Sequence, residues 1–230
     1  MKATSQSLTL ATGVAFFWLP TTVAAMGDSA DALVYGGPEE LAEFSVAIHP
    51  ETPTTILVAG MRFVGAAQNP PFDIAAFVST DAGATWNVTP SVTNDPVDDY
   101  ADPIVTWAKS GSTWMAVVCF ITANTPKAVH VARSADLGDT WQDSEVFGEW
   151  ETDKSYVAAG GGAMFAAWVR NVGTRRIYVK RSTDQGATWP GDPTVLGEDP
   201  GTDYHHEPSI ALGPNGEVYV AWAVLEGGRR

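Results

Sequence analysis

The chain holds one cysteine, Cys119, so no disulfide forms within it. It is also short of positive charge. Its 13 Lys and Arg stand against 27 Asp and Glu, for a formal net charge of −14. Nucleic acid and anionic membrane surfaces are held by clustered positive charge, so neither is an expected partner. Beyond the N-terminus no amphipathic helical period is present. No apolar run reaches the ~20 residues of a membrane-crossing helix. His205 and His206 adjoin each other among acids, which is not a metal-ligand spacing, and no metal or cofactor is expected.

What the N-terminus does have is an export pattern. Lys2 supplies a positive start, an apolar run follows from Leu8 to Leu19, Pro20 breaks it, and Val23-Ala24-Ala25 offers small residues for cleavage. Residues 1–25 are therefore expected to be a signal peptide, 26–39 a linker and 40–230 the folded domain, without membrane insertion once the signal is cleaved. Export without disulfides suits a secreted or periplasmic bacterial protein. The chain is 45% hydrophobic with nine Trp, enough for a core, and its 22 Gly and 15 Pro suit short strands joined by turns.

The strongest signal is a repeat. An octapeptide occurs three times, as STDAGATW, SADLGDTW and STDQGATW, with starts 55 and 48 residues apart. Its constant positions are Ser79, Asp81, Gly83, Thr85 and Trp86, then Ser134, Asp136, Gly138, Thr140 and Trp141, then Ser182, Asp184, Gly186, Thr188 and Trp189. These residue types describe a turn. Asp accepts from nearby backbone N–H groups, Gly takes a positive φ, Ser and Thr close local bonds, and Trp buries a large apolar face.

A second pattern lies upstream of each octapeptide. An acid opens an apolar strand, a turn follows, and a second apolar strand returns. The openings are Glu43, Asp102, Asp153 and Glu207, and the second strands end on Gly60, Cys119, Trp168 and Trp222. Asn215-Gly216 is a tight-turn pair in the last copy. With the strands flanking the octapeptide, each unit holds four short strands, and tandem units of this kind predict propeller blades.

The octapeptide resembles the Asp box, or bacterial neuraminidase repeat, and the four-strand unit resembles a sialidase blade. The resemblance covers about residues 40 to 230. It implies an all-β fold, a β-propeller of four-stranded antiparallel blades from a six-bladed sialidase-like parent. It also implies an exo-sialidase-like glycoside hydrolase, or a fragment of one, that cleaves terminal sialic acid or a related sugar from extracellular glycans. Asp boxes also occur in non-catalytic secreted propellers, so binding of glycans or proteins is the alternative. The opening acids precede their boxes by 36, 32 and 29 residues. The same spacing from Glu207 puts the next box beyond Arg230, so about three and a half blades are expected, with the rest supplied by a longer chain or by self-association.

By that resemblance the Asp boxes are structural, and chemistry lies at the opposite end of the blades. The connecting segments from Asp95 to Pro103 and from Asp199 to Pro208 share an Asp-Pro, an Asp-Tyr and an acid before Pro. They bring forward Tyr204, Glu207 and Asp102 as catalytic candidates, since sialidases use a Tyr nucleophile. Tyr100, Asp153 and His206 are candidates for substrate contact. The same acids also serve as caps of strand starts, and both roles stay open. Arg62 and Arg170 hold matching places two residues past Gly60 and Trp168, where the other units have Ile121 and Val224, and are the candidates for a substrate carboxylate. The Phe/Tyr-Arg-Ile-Pro motif of typical sialidases is absent, and no third suitable arginine is evident.

Overall fold

The computed structural model describes residues 32–65, 71–93, 99–124, 126–148, 151–170, 175–197 and 204–225. The expected signal peptide and the linking residues 94–98 and 198–203 lie outside them. All regular structure among the described residues is β-strand. Blade 1 contains β1 (Leu41–Ile48), β2 (Ile56–Phe63), β3 (Phe72–Ser79) and β4 (Asn87–Val88). Blade 2 contains β5 (Tyr100–Ser110), β6 (Thr113–Thr122), β7 (Val129–Ser134) and β8 (Gln142–Phe147). Blade 3 contains β9 (Thr152–Gly160), β10 (Ala163–Arg170), β11 (Arg176–Ser182) and β12 (Thr194–Leu196). A fourth, two-stranded sheet pairs β13 (Tyr204–Leu212) with β14 (Val218–Leu225). Strands neighbour one another in chain order and every pair is antiparallel, as in propeller blades.

Short turns fix these meanders. Gly161 and Gly162 both have positive φ and close the β9–β10 hairpin in two residues, the primed turn that matches strand twist. Asn215-Gly216 sits in a longer, five-residue connection. Gly216 N–H donates to the Gly213 carbonyl, and Gly213 N–H to that of Glu217, so the pair ends a wider loop than a tight turn.

The cores lie between blades. Leu57, Ile74 and Val78 of blade 1 pack on Val105, Trp107 and Phe120 of blade 2. Val117, Cys119 and Val131 of blade 2 pack on Val157, Met164 and Trp168 of blade 3. Each fully buried apolar side chain of this size contributes about 1.5–3 kcal/mol. Burial pushes the Cys119 thiol up to about 12, so it behaves as a small apolar residue. Polar ties cross the first junction as well: Val105 N–H donates to Ser45 Oγ at 3.1 Å, and Trp107 Nε1–H to the Ala47 carbonyl at 3.2 Å. The first strands β1, β5, β9 and β13 lie side by side, each in contact with the next.

Candidate functional site

The two ends of a blade do different things. In blade 1, β2 starts where Ile56 faces Ser79, beside the Asp box, and ends where Phe63 faces Phe72, one pair past Arg62 and Asp73. The boxes, which join the third and fourth strands, therefore mark one end. In each of them the Ser Oγ accepts from the Gly N–H, at 2.8 Å for Ser79 and Gly83, and donates to the Asp. The Asp carboxylate then takes both the backbone N–H and the hydroxyl of Thr, at 2.8 and 2.6 Å for Asp81 and Thr85. The same bonds recur around Asp136 and Asp184. Donation from Thr, with Ser adding, lowers all three carboxyl pKa values from 3.8 to about 2. The residue before each glycine, Ala82, Leu137 or Gln185, is itself left-handed, with φ of 58–60°. Trp141 and Trp189 lie buried in the junctions with the preceding blades.

The other end carries a second recurrent feature. Each first strand has a β-bulge against the second strand of its sheet. Two residues oppose one: Glu43-Phe44 face Gly60, Asp102-Pro103 face Phe120, Lys154-Ser155 face Trp168, and Glu207-Pro208 face Trp222. The first residue of each pair is left-handed, with φ of 54°, 54°, 47° and 50°. A non-glycine residue held there costs about 1–2 kcal/mol. Bulges of this kind re-aim a side chain, and strained backbone of this kind concentrates at functional sites.

This register corrects the sequence alignment of the units. The bulge residue of blade 3 is Lys154, and Asp153 lies one residue earlier, paired with Val169. In blade 2 the residue two past the bulge partner is Thr122, where the sequence match had put Ile121. In β9 the bulge inserts its extra residue one place after the periodic acid.

Three bulges meet in a cleft of about 160 Å³ lined by Glu43, Phe44, Asp102, Lys154, Ser155 and Tyr156 among others. The charged residues form a chain across it. Glu43 Oε2 accepts from the Asp102 backbone N–H at 2.9 Å, and Asp102 Oδ1 accepts from Lys154 Nζ at 2.6 Å. Burial works against the Lys154 charge, but the hydrogen bond and charge of Asp102, with Glu43 and Asp153 adding, prevail and raise its pKa. Lys154 is thus a cation in an otherwise acidic ring of positions. Neither Lys154 nor Tyr156 was singled out by the sequence; a Lys at a place where three other units have acids was the available signal.

The remaining candidates are dispersed. Tyr100 is buried and stacks edge-on against Phe120 and His130, whose Nδ1 lies 3.0 Å from Asp143 Oδ2. Tyr204 opens β13, its backbone paired with Leu225. Glu207 is exposed, with its Oε1 3.7 Å from His206 Nδ1. Arg62 makes a bidentate pair with Asp73, at 2.9 and 2.6 Å, and Ser91 Oγ adds a bond to the same carboxylate. Arg170 has the equivalent place in blade 3, but the residues opposite it are Thr152 and Arg176. Its Nε has no hydrogen-bond partner, and neither has the buried Thr152 Oγ1. Among the described residues no group of three or more His, Cys, Asp or Glu is placed to hold a metal ion.

No model of a known protein family matches the chain, and no curated protein matches it. Solved structures do. A protein of unknown function from Dyadobacter fermentans superposes with a TM-score of 0.60 at 18% identity, over 86% of this chain and 65% of that one. An α-L-arabinanase of Penicillium chrysogenum, solved with arabinobiose, gives 0.61 at 18% identity, over 80% and 57%. The GH93 α-L-arabinofuranosidase of Fusarium graminearum, also with arabinobiose, gives 0.60 at 16% identity, over 83% and 58%. The chain spans 57–65% of the length of these three structures. At such identities the likeness is one of fold, and the chain has the all-β propeller fold seen in the arabinanase and the arabinofuranosidase.

Proposed function

We propose that the cleft at the bulge end is a glycan site and that the chain contributes it to a glycoside hydrolase exported from the cell. The observation that carries this reading is the convergence of Glu43, Asp102 and Lys154, the left-handed bulge residues of three successive blades, on one cleft that also holds Tyr156. Glycosidic cleavage needs one carboxyl to protonate the leaving oxygen and a second to act as nucleophile or base. Asp102, bonded to a lysine ammonium, suits the charged role, and Glu43 on the adjoining strand is the second carboxyl. The export pattern at the N-terminus and the fold shared with an α-L-arabinanase and an α-L-arabinofuranosidase support a glycan as the substrate class. The test is release of fluorophore from α-L-arabinofuranosides and α-sialosides by the purified chain. Asp102→Asn and Glu43→Gln should each abolish it in a chain that thermal melting shows is still folded; activity that survives both sinks the assignment.

A second reading, a terminal acidic sugar such as sialic acid, is favoured by Arg170. Arg62 already has Asp73 across the strand, whereas the Nε of Arg170, in the equivalent place, has no hydrogen-bond partner and is open to an anionic group. Preference for the sialoside over the arabinofuranoside, lost in Arg170→Ala, distinguishes it from the first.

A further inference from the structure

We infer that the chain associates head to tail with a second copy of itself, through the outer face of blade 1 and the outer face of the β13–β14 sheet. The chain joins its own blades through the same pair of faces. At the first junction the row Ser45, Ala47, Leu57 and Ala59 of blade 1 receives Val105 and Trp107 of blade 2. Ser45 Oγ and the Ala47 carbonyl accept from that incoming strand, and Glu43 accepts from the backbone of its bulge.

Counted from its own bulge, the β13–β14 sheet repeats the receiving row as Ser209, Ala211, Tyr219 and Ala221. All four are exposed. Tyr219 is 61% exposed where Leu57, its counterpart, is 0%. At the other end of the chain, blade 1 repeats the incoming row. Val46 and Ile48 hold the places of Val105 and Trp107. Val46 is 66% exposed where Val105 is 7%. Phe44 beside them is exposed as well, while Val58, across from Val46, and Phe77 are already covered by Val34 and Tyr35, so the free part of this face is the β1 row, with a mainly apolar cavity of about 410 Å³ between it and that segment.

One end therefore offers the row that receives and the other the row that is received. The hydrogen bonds have counterparts too. Ser209 Oγ takes the place of Ser45 Oγ, to accept from the Val46 N–H of a second copy. Glu207, whose side chain is exposed, takes the place of Glu43, to accept from the Glu43 N–H of that copy. Because the two faces differ, the contact is heterologous, and no two-fold axis relates the copies. It also sets Glu207 of one copy beside Glu43 of the next, at the same end of the blades as the cleft.

The test uses two charge insertions on exposed positions, Val46→Asp and Tyr219→Asp, with melting temperatures to verify folding. Sedimentation is followed from about 1 μM to about 1 mM chain, which brackets weak to moderate affinity. The wild-type chain is expected to form concentration-dependent oligomers, and each variant alone to stay monomeric. An equimolar mixture of the two variants is expected to form dimers and nothing larger. Each variant keeps the face that the other has lost. A wild-type chain that stays monomeric throughout overturns the inference and leaves the two faces to other blades. So do oligomers that ignore both substitutions, and so does a mixture that stays monomeric.

Discussion

Lys154 reaches across a blade junction to place its ammonium 2.6 Å from the Asp102 carboxylate, and both residues are the left-handed first residue of a first-strand bulge. The contact follows from neighbouring blades repeating one backbone geometry with opposite charges on it. It gives the cleft a fixed polarity, with the half-buried cation on blade 3 and the acids on blades 1 and 2.

Lys154→Met keeps the length of the side chain and removes its charge. Loss of a charge-assisted bond is worth about 1.5–3 kcal/mol, or about tenfold to hundredfold in kcat/KM on a cleaved glycoside. Lys154→Arg should restore part of it. Steady-state hydrolysis at fixed pH checks both, and unchanged kinetics in the Met variant would remove Lys154 from the site.

The octapeptide turns are expected to act on stability alone. Ser134→Ala leaves the buried Gly138 N–H without its acceptor and should cost about 1–3 kcal/mol in urea unfolding. The substitution lies at the far end of the blade from the cleft, so glycoside hydrolysis by the folded fraction should not change.

Acid should loosen the same boxes in a defined window. Asp81, Asp136 and Asp184 ionise near 2 in the folded chain against an ordinary 3.8. A carboxyl with a lowered folded pKa contributes stability above its unfolded value and loses it as pH falls through the folded one. The melting temperature should therefore fall between about pH 4 and pH 2. The triple Asp→Asn variant should start lower and show a shallower fall. Parallel curves for the two proteins would show that the boxes do not set the acid limb.

The two matched arginines should separate. Arg62→Ala breaks a bidentate, largely buried pair and strands Asp73, so a loss of about 1–3 kcal/mol is expected. Arg170 is only partly buried and its Nε has no hydrogen-bond partner, so the stability of Arg170→Ala should stay within about 0.5 kcal/mol of wild type. Thermal melts of the two variants side by side decide this, and equal losses would contradict it.

The boxes were legible in the sequence because everything they need lies within eight residues. Ser79 bonds Asp81 and Gly83, and Asp81 bonds Thr85, whatever the rest of the chain does. The alternation of apolar residues likewise gave the strands of each unit. The bulges were not legible. A single inserted residue shifts which side chain points to which face, and the acid of blade 3, Asp153, sat one place away from the residue that the bulge turns into the cleft.

The sequence by itself determined the turns, the strands and their grouping into blades, since these depend on near neighbours. The tertiary structure decided which charges meet. Arg62 finds Asp73 because β2 and β3 pair in one register, and Lys154 finds Asp102 because blades 2 and 3 stack on a shared apolar core. Partners separated by 11 and 52 residues are set by strand register and blade packing, and no local pattern in the chain records either.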